Sequence, residues 1–368
     1  MKLSLILALC VLVCCPSLSL AKQSAYHASP QEKTSPHKPK KKIIIDTDMG
    51  WDDTLSTLYL MKRPDIEIIG MSVTGCGETN LRWGRVIARS LMDLGDRAHV
   101  PVSAGTSTPM KFDHIFPQNF RNDMNDLMGL LGTINPTIDV KLDPRPAWKL
   151  LSDLLNTTKE PVTILCLGGF TNLAMMLKEY PDTKIDMIKN VYAMAGAIFV
   201  DGNVALLNNA RKSWDQGPVY GQNYRAEWNI FVDPLAAKTV FESKIPLTLI
   251  PLDACDYVLL SPKVVNTIKG NDSISQLAKN ILTEKVGPHK EGIPVPIFDP
   301  LATMVMAHGL KNYEYVSVYL DVDIQESEEH DTCGRLIHVD NGSRKIRVIQ
   351  GVSNYLFAKD FAAVLNNN

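Results

Sequence analysis

Asp46-Thr47-Asp48-Met49-Gly50-Trp51-Asp52-Asp53 puts four carboxylates into eight consecutive positions. Crowded carboxylates repel one another. They persist as anions only where a hard cation or strong hydrogen-bond donors compensate them, and Ca²⁺ or Mg²⁺ suits an all-oxygen donor set. Helix capping is the other use of acids here, because Asp52 and Asp53 fall near an expected helix start. Capping accounts for one or two of the four.

Three later segments could join this cluster. In Ile297-Phe298-Asp299-Pro300-Leu301-Ala302 an Asp stands before a Pro that suits a first helical turn. In Ala226-Glu227-Trp228-Asn229, Glu227 and Asn229 would share one face of an extended chain. A carboxylate beside an amide suits hydroxyl groups, which both donate and accept. Leu167-Gly168-Gly169-Phe170-Thr171-Asn172 follows an apolar run and could cradle a phosphate or expose a backbone carbonyl to a metal. It lacks either glycine-rich nucleotide signature.

The elements that must position these groups alternate. Lys41-Lys42-Ile43-Ile44-Ile45 reads as a buried strand ending at the acidic octet, with Gly50 expected to supply the tight backbone. The apolar spacing of Leu55, Leu58 and Met61 predicts a helix after it. Strands are predicted at 66–74, 100–104, 162–167, 188–194 and 247–251. Helices are predicted at 81–94, 145–155, 173–179, 234–242, 273–285 and 300–308. Such alternation predicts an α/β fold: a single domain with a mostly parallel central sheet flanked by helices, an open α/β arrangement. Strand-like runs at 315–322, 334–339 and 345–352 predict a small antiparallel C-terminal extension, closed by a helix over 355–365. In open sheets of this kind ligands bind at the carboxyl ends of the strands, which is where the octet falls.

The 368-residue chain opens with Met1-Lys2, an apolar stretch and a small-residue exit at Ser19-Leu20-Ala21. Residues 1–21 are therefore expected to be a signal peptide, too short for a stable membrane span, and the protein exported, secreted or periplasmic. Residues 22–41, rich in Lys, Pro, Ser and His, are expected to form a disordered basic linker, leaving 42–368 as the catalytic domain. Lys and Arg total 38 against 40 Asp and Glu, with no basic stripe, so nucleic acid is not an expected partner. Of seven cysteines, Cys76, Cys166, Cys255 and Cys333 lie beyond the leader, without metal-binding spacing. Their pairing is open.

Asp46-Thr47-Asp48-x-Gly-x-Asp52-Asp53, the strand-Gly-Gly-Phe-Thr-Asn-Leu-Ala segment, Met194-Ala195-Gly196-Ala197, Glu227-Trp228-Asn229 and Phe298-Asp299-Pro300-Leu301-Ala302 occur in that order. The series resembles the inosine-uridine-preferring nucleoside hydrolases and covers most of 42–307. The resemblance implies a homo-oligomeric, Ca²⁺-dependent enzyme that hydrolyses the N-glycosidic bond of ribonucleosides. By position it implies Asp48, Asp53, Asp299 and the Leu167 carbonyl as Ca²⁺ ligands, with Asp48 also deprotonating the attacking water. It further implies Asp52 and Asn229 at the 2′-hydroxyl, Asp299 at the 3′-hydroxyl, Glu227 with Asn203 at the 5′-hydroxyl, and Met194 against the sugar. Asp46 is left to support its neighbours.

The sequence also departs from that pattern. Phe298 stands where many members carry a His that helps the base depart. His289 is a candidate acid in its place. Val73-Thr74-Gly75-Cys76-Gly77-Glu78 lacks the Asn that usually follows Val-x-Gly. A long stretch from Asn203 to Arg225 makes Asn223 a rival of Asn203. Trp51, Trp214 and Trp228 could stack on a base or simply fill packing space. Two other functions fit parts of the sequence. A haloacid-dehalogenase-type phosphatase would use strand-Asp-Thr-Asp, and an exported nucleoside or ribose binder would have lost turnover.

Overall fold

The computed structural model describes residues 39–136, 141–205, 223–287, 294–326 and 331–366. The expected leader and most of the linker lie outside them. Pro39–Asn368 forms one compact unit.

Strand β1 (Lys41–Thr47) runs through the middle of a nine-stranded sheet. Ile43, Ile44 and Ile45 are fully buried. Ile43 and Ile45 enter the hydrophobic cluster on one face of the sheet and Ile44 the cluster on the other. A continuous apolar run is what a strand covered on both faces needs. Parallel to β1 lie β2 (Ile66–Val73) on one side and β4 (Val162–Cys166) on the other. Outside β2 comes β3 (Val102–Ala104). Beyond β4 come β5 (Ile188–Met194) and β6 (Leu247–Ile250), also parallel. The order β3-β2-β1-β4-β5-β6 reverses between β1 and β4. At such a switch point the connections leave β1 and β4 in opposite directions and open a crevice at their carboxyl ends.

Helices fill both faces. They are α1 (Trp51–Met61), α2 (Leu81–Leu94), α3 (Gln118–Asn125), α4 (Ala147–Thr157) and α5 (Thr171–Glu179), then α6 (Trp228–Phe231), α7 (Pro234–Glu242), α8 (Leu252–Cys255), α9 (Pro262–Thr267), α10 (Ser273–Val286), α11 (Asp299–His308) and α12 (Asn354–Leu365). The short pair β7 (Leu259–Leu260) and β8 (Val295–Pro296) forms a separate antiparallel ribbon. The C-terminal strands β9 (Glu314–Val322), β10 (Leu336–Val339) and β11 (Ile346–Gly351) continue the central sheet. Strand β9 is antiparallel to both neighbours, and β11 joins β6 in parallel. The extension is thus antiparallel as expected, yet continuous with the main sheet.

Among the described residues no helix is long and apolar enough to cross a membrane. Cys76, Cys166, Cys255 and Cys333 are all free and buried.

Ile44→Ala should cost about 3 kcal/mol, because the cavity it leaves between two rigid neighbouring strands cannot close. Urea unfolding should show a lower midpoint at an unchanged slope.

Candidate functional site

The chain leaves β1 through Met49, whose φ of 59° is left-handed. Gly50, expected to supply that turn, is ordinary in backbone (φ −68°) and matters for space. A Cβ at Gly50 would lie 1.8 Å from Glu78 Oε2, and one at Gly77 would lie 1.7 Å from Asp48 Oδ2. Two missing side chains therefore let the loop after β2 lay Glu78 into the acidic octet.

Asp53 is fixed from three sides. Thr47 Oγ1 donates to its Oδ1, Gly50 N–H donates to its Oδ2 at 2.8 Å, and its carboxyl meets those of Asp48 and Asp299. Asp48 Oδ2 accepts the Glu78 N–H at 3.0 Å. Asp299 opens α11, with Pro300 in the first turn. Its side chain faces the cluster from the far end of the sequence. Asp52, Asp53 and Glu78 each offer a carboxylate oxygen, all within 4.8 Å of one another. Asp46 points away: its Oδ1 accepts Ser72 Oγ at 2.6 Å and Asn172 Nδ2 at 2.8 Å. Asn172 thus ties the Gly-Gly-Phe-Thr-Asn segment to the octet. The two glycines of that segment provide close packing, Gly168 against Asp48 and Gly169 against Val232, which leaves no open phosphate cradle.

The Glu227–Asn229 pair differs from expectation. Only Glu227 is extended, and Asn229 lies in the first turn of α6. Asn229 N–H donates to Glu227 Oε1 at 2.8 Å, while Gly196 N–H donates to Oε2 at 2.9 Å. The cap turns both side chains inward, where two alternating positions of an edge strand would have left them facing solvent. Asn229 Nδ2 donates to the carbonyls of Leu167 at 3.1 Å and Met194 at 2.9 Å. It joins the ends of β4 and β5. Asn203 Oδ1 accepts the Trp228 N–H at 3.1 Å. Its rival Asn223 is fully buried elsewhere, donating to the Cys333 carbonyl at 2.9 Å.

These groups line one cavity of about 370 Å³, a volume suited to a small molecule. Asp48, Asp52, Asp53, Leu167, Met194, Asn203, Glu227, Asn229 and Asp299 all border it. His289 lies outside the described residues, as does Trp214. Six further lining residues were not singled out as site residues from sequence: Glu78, Phe116, Phe120, Lys285, Val295 and Pro296. Glu78 had a visible signal, an acid between glycine and threonine just past a strand end. The others come from two helices, a loop and the short strand β8, with no local signature. Phe116 stacks on Trp228 at 4.2 Å between ring centroids. Lys285 Nζ lies 4.3 Å from the Trp51 ring centroid.

Burial raises the pKa of every acid here. Asp46 is pushed up to about 6. Asp52 is pushed up to about 7, by burial and then by Asp53. Glu227 is pushed up to about 7 by burial, which outweighs three backbone donors. Asp48, Glu78 and Asp299 stand well above the carboxylate range, from burial and then from neighbouring acids. Glu78 Oε2 is buried with no hydrogen-bond partner. Buried carboxyl oxygens without donors fit a divalent cation, and every candidate ligand atom is oxygen.

Groups with a raised folded-state pKa hold protons that the unfolded chain releases. Their stabilisation is complete below about pH 4 and is lost as pH rises through the folded values of about 6 for Asp46 and about 7 for Asp52 and Glu227. In EDTA the melting temperature should therefore fall between pH 5 and 8. Ca²⁺ should restore it at pH 8, since a cation replaces the missing protons. A melting temperature that rises with pH in EDTA would contradict this.

The sequence profile described as inosine-uridine preferring nucleoside hydrolase matches residues 43–359. The pyrimidine-specific ribonucleoside hydrolase RihB of Escherichia coli O157:H7 is 25% identical over 294 residues, 77% of this chain and 84% of that protein. RihA of Klebsiella pneumoniae, of the same description, is 27% identical over 251 residues, 68% and 72%. An uncharacterised Schizosaccharomyces pombe protein is 31% identical over 223 residues, 60% of this chain, and the match spans 64% of that protein's length. Among solved structures, a plant nucleoside hydrolase superposes with a TM-score of 0.73 at 22% identity, covering 89% of this chain and 99% of that one. A purine-preferring ribonucleoside hydrolase from Gardnerella vaginalis gives a TM-score of 0.66 at 25% identity, covering 89% and 98%. With the profile matched across nearly the whole described fold, and the acids it begins with gathered at the switch point of the sheet, the chain belongs to the inosine-uridine preferring nucleoside hydrolase family.

Proposed function

We propose that this protein is a Ca²⁺-dependent ribonucleoside hydrolase that cleaves the N-glycosidic bond to give free base and ribose. The observation that carries this reading is the convergence of Asp48, Asp53, Asp299 and Leu167 on one cavity that Glu227, Asn203 and Asn229 also line. A family of hydrolases acting on nucleosides supplies the reaction class.

Asp48, Asp53, Asp299 and the Leu167 carbonyl would hold Ca²⁺, and the ion when bound supplies the positive charge that acidifies water and engages ribose hydroxyls. Asp48 takes a proton from the attacking water. Its carboxylate is oriented by the Glu78 N–H and by the loop packed on Gly77. Asp52 and Asn229 hold the 2′-hydroxyl, Asp299 the 3′-hydroxyl and Glu227 with Asn203 the 5′-hydroxyl. Met194 packs against the sugar. Positive charge grows on the ribose as the base departs, and the surrounding carboxylates stabilise it more in the transition state than in the substrate.

A phosphatase of the haloacid-dehalogenase type is set aside, because the family match accounts for the strand-Asp-Thr-Asp motif along with the segments that follow it. A non-catalytic nucleoside binder is favoured only by Phe298, which cannot protonate a departing base. Export through residues 1–21 and assembly into a homo-oligomer are further parts of the proposal.

Purified protein incubated with inosine, adenosine, guanosine, uridine and cytidine should release ribose from at least one of them, and EDTA should abolish the release. Asp48→Asn should lower kcat by about 1,000-fold or more with the melting temperature little changed, since general-base catalysis and a metal ligand are lost together. Binding without release would support the binder, and full activity of Asp48→Asn would remove the mechanism.

A further inference from the structure

The cavity is built to favour a cation and penalise an anion. Asp48, Asp52, Asp53, Glu78, Glu227 and Asp299 all border it. They assist the sugar, which becomes positive, and oppose the base, which leaves with the electron pair of the broken bond. A site so acidic needs a donor at the base, and Phe298 is not one. Asn229 cannot serve, because its amide already donates to the Leu167 and Met194 carbonyls.

Lys285 is the only cationic side chain among the described residues lining the cavity. It sits in the last turn of α10, where the helix dipole favours a positive charge. Its ammonium lies over the face of Trp51, itself buried and part of the lining. Its charge acts on both Asp52 and Glu78. An aromatic face and two acids thus locate the ammonium at the wall that carries Trp51, beside the residue assigned to the 2′-hydroxyl. In the proposed binding mode, with the 2′-hydroxyl at Asp52, the base on the neighbouring anomeric carbon would face this wall.

We propose that Lys285 is a catalytic residue of the hydrolase, donating a hydrogen bond to the departing base and offsetting its negative charge in the place of the residue replaced by Phe298. The assignment rests on the nucleoside-hydrolase reading. In the step, the C1′–N bond breaks with its electron pair passing to the base nitrogen, and the water oxygen bonds to C1′. One water proton goes to Asp48 and then to solvent. The base takes a proton from solvent, so that one water is consumed and neutral base and ribose are formed.

Leaving-group dependence tests this. In 4-nitrophenyl β-D-ribofuranoside the departing anion is stable without help, so catalysis on it needs no donor. Lys285→Met should lower kcat on the best natural nucleoside by about 100-fold, the usual worth of such a donor, against about threefold or less on the aryl riboside. Lys285→Arg, which keeps charge and donors, should recover most of the nucleoside activity. Activity of Lys285→Met on the aryl riboside also shows that the variant folds. Equal losses on both substrates, or no loss on either, would overturn the proposal. Wild-type protein inert on every riboside, the aryl compound included, would overturn the hydrolase reading and this proposal with it.

Discussion

The mutual repulsion of buried carboxylates governs this structure. Asp48, Asp52, Asp53 and Asp299 are brought together in a buried site, and Glu78 comes in beside them. Asp53 raises the affinity of Asp48, Asp52 and Asp299 for positive charge. A protein tolerates this only if protons or a cation fill the site and the scaffold is stiff enough to stop the acids from moving apart. The scaffold meets the second requirement. Octet and Leu167 leave adjacent parallel strands, α1 is buried along its whole length, and Thr47 and the Gly50 amide fix Asp53. In the proposed reaction the same repulsion becomes useful when the sugar acquires positive charge.

Space is as closely specified as charge. Gly50 and Gly77 look like turn residues, but what their absent side chains allow is the entry of Glu78 and the fit of the loop over Asp48. The strained backbone falls on Met49 instead. Asn229 shows the same economy: one amide joins the ends of β4 and β5 and forms part of the cavity wall. A residue proposed to bind the sugar thus also holds two strand ends together, so substitution of Asn229 should disturb geometry together with chemistry.

Much was legible in the sequence, for identifiable reasons. Helix α2 has the predicted bounds because its apolar spacing is strongly periodic, and strand β5 because it is a short, almost continuously buried run. The Glu227–Asn229 pair was read as extended because alternation around an aromatic residue is also what a four-residue helix with a side-chain cap produces. Helix α3, eight mostly polar residues without a side-chain cap, left no comparable trace.

By itself the sequence determined that four acids stand at the end of a buried strand, and that Asp299, Glu227 and Asn229 belong to the same family pattern. Residue identity and local periodicity are short-range properties, and a chain carries them wherever it folds. Only the tertiary structure decided that Asp46 turns away to Asn172 while Glu78 turns in, that Asn203 borders the cavity while Asn223 fastens a loop, and that Lys285 lies over Trp51. Those outcomes depend on which elements cross at the switch point of the sheet and on the space left between them. Both are set by packing across the whole domain, and no single segment encodes them.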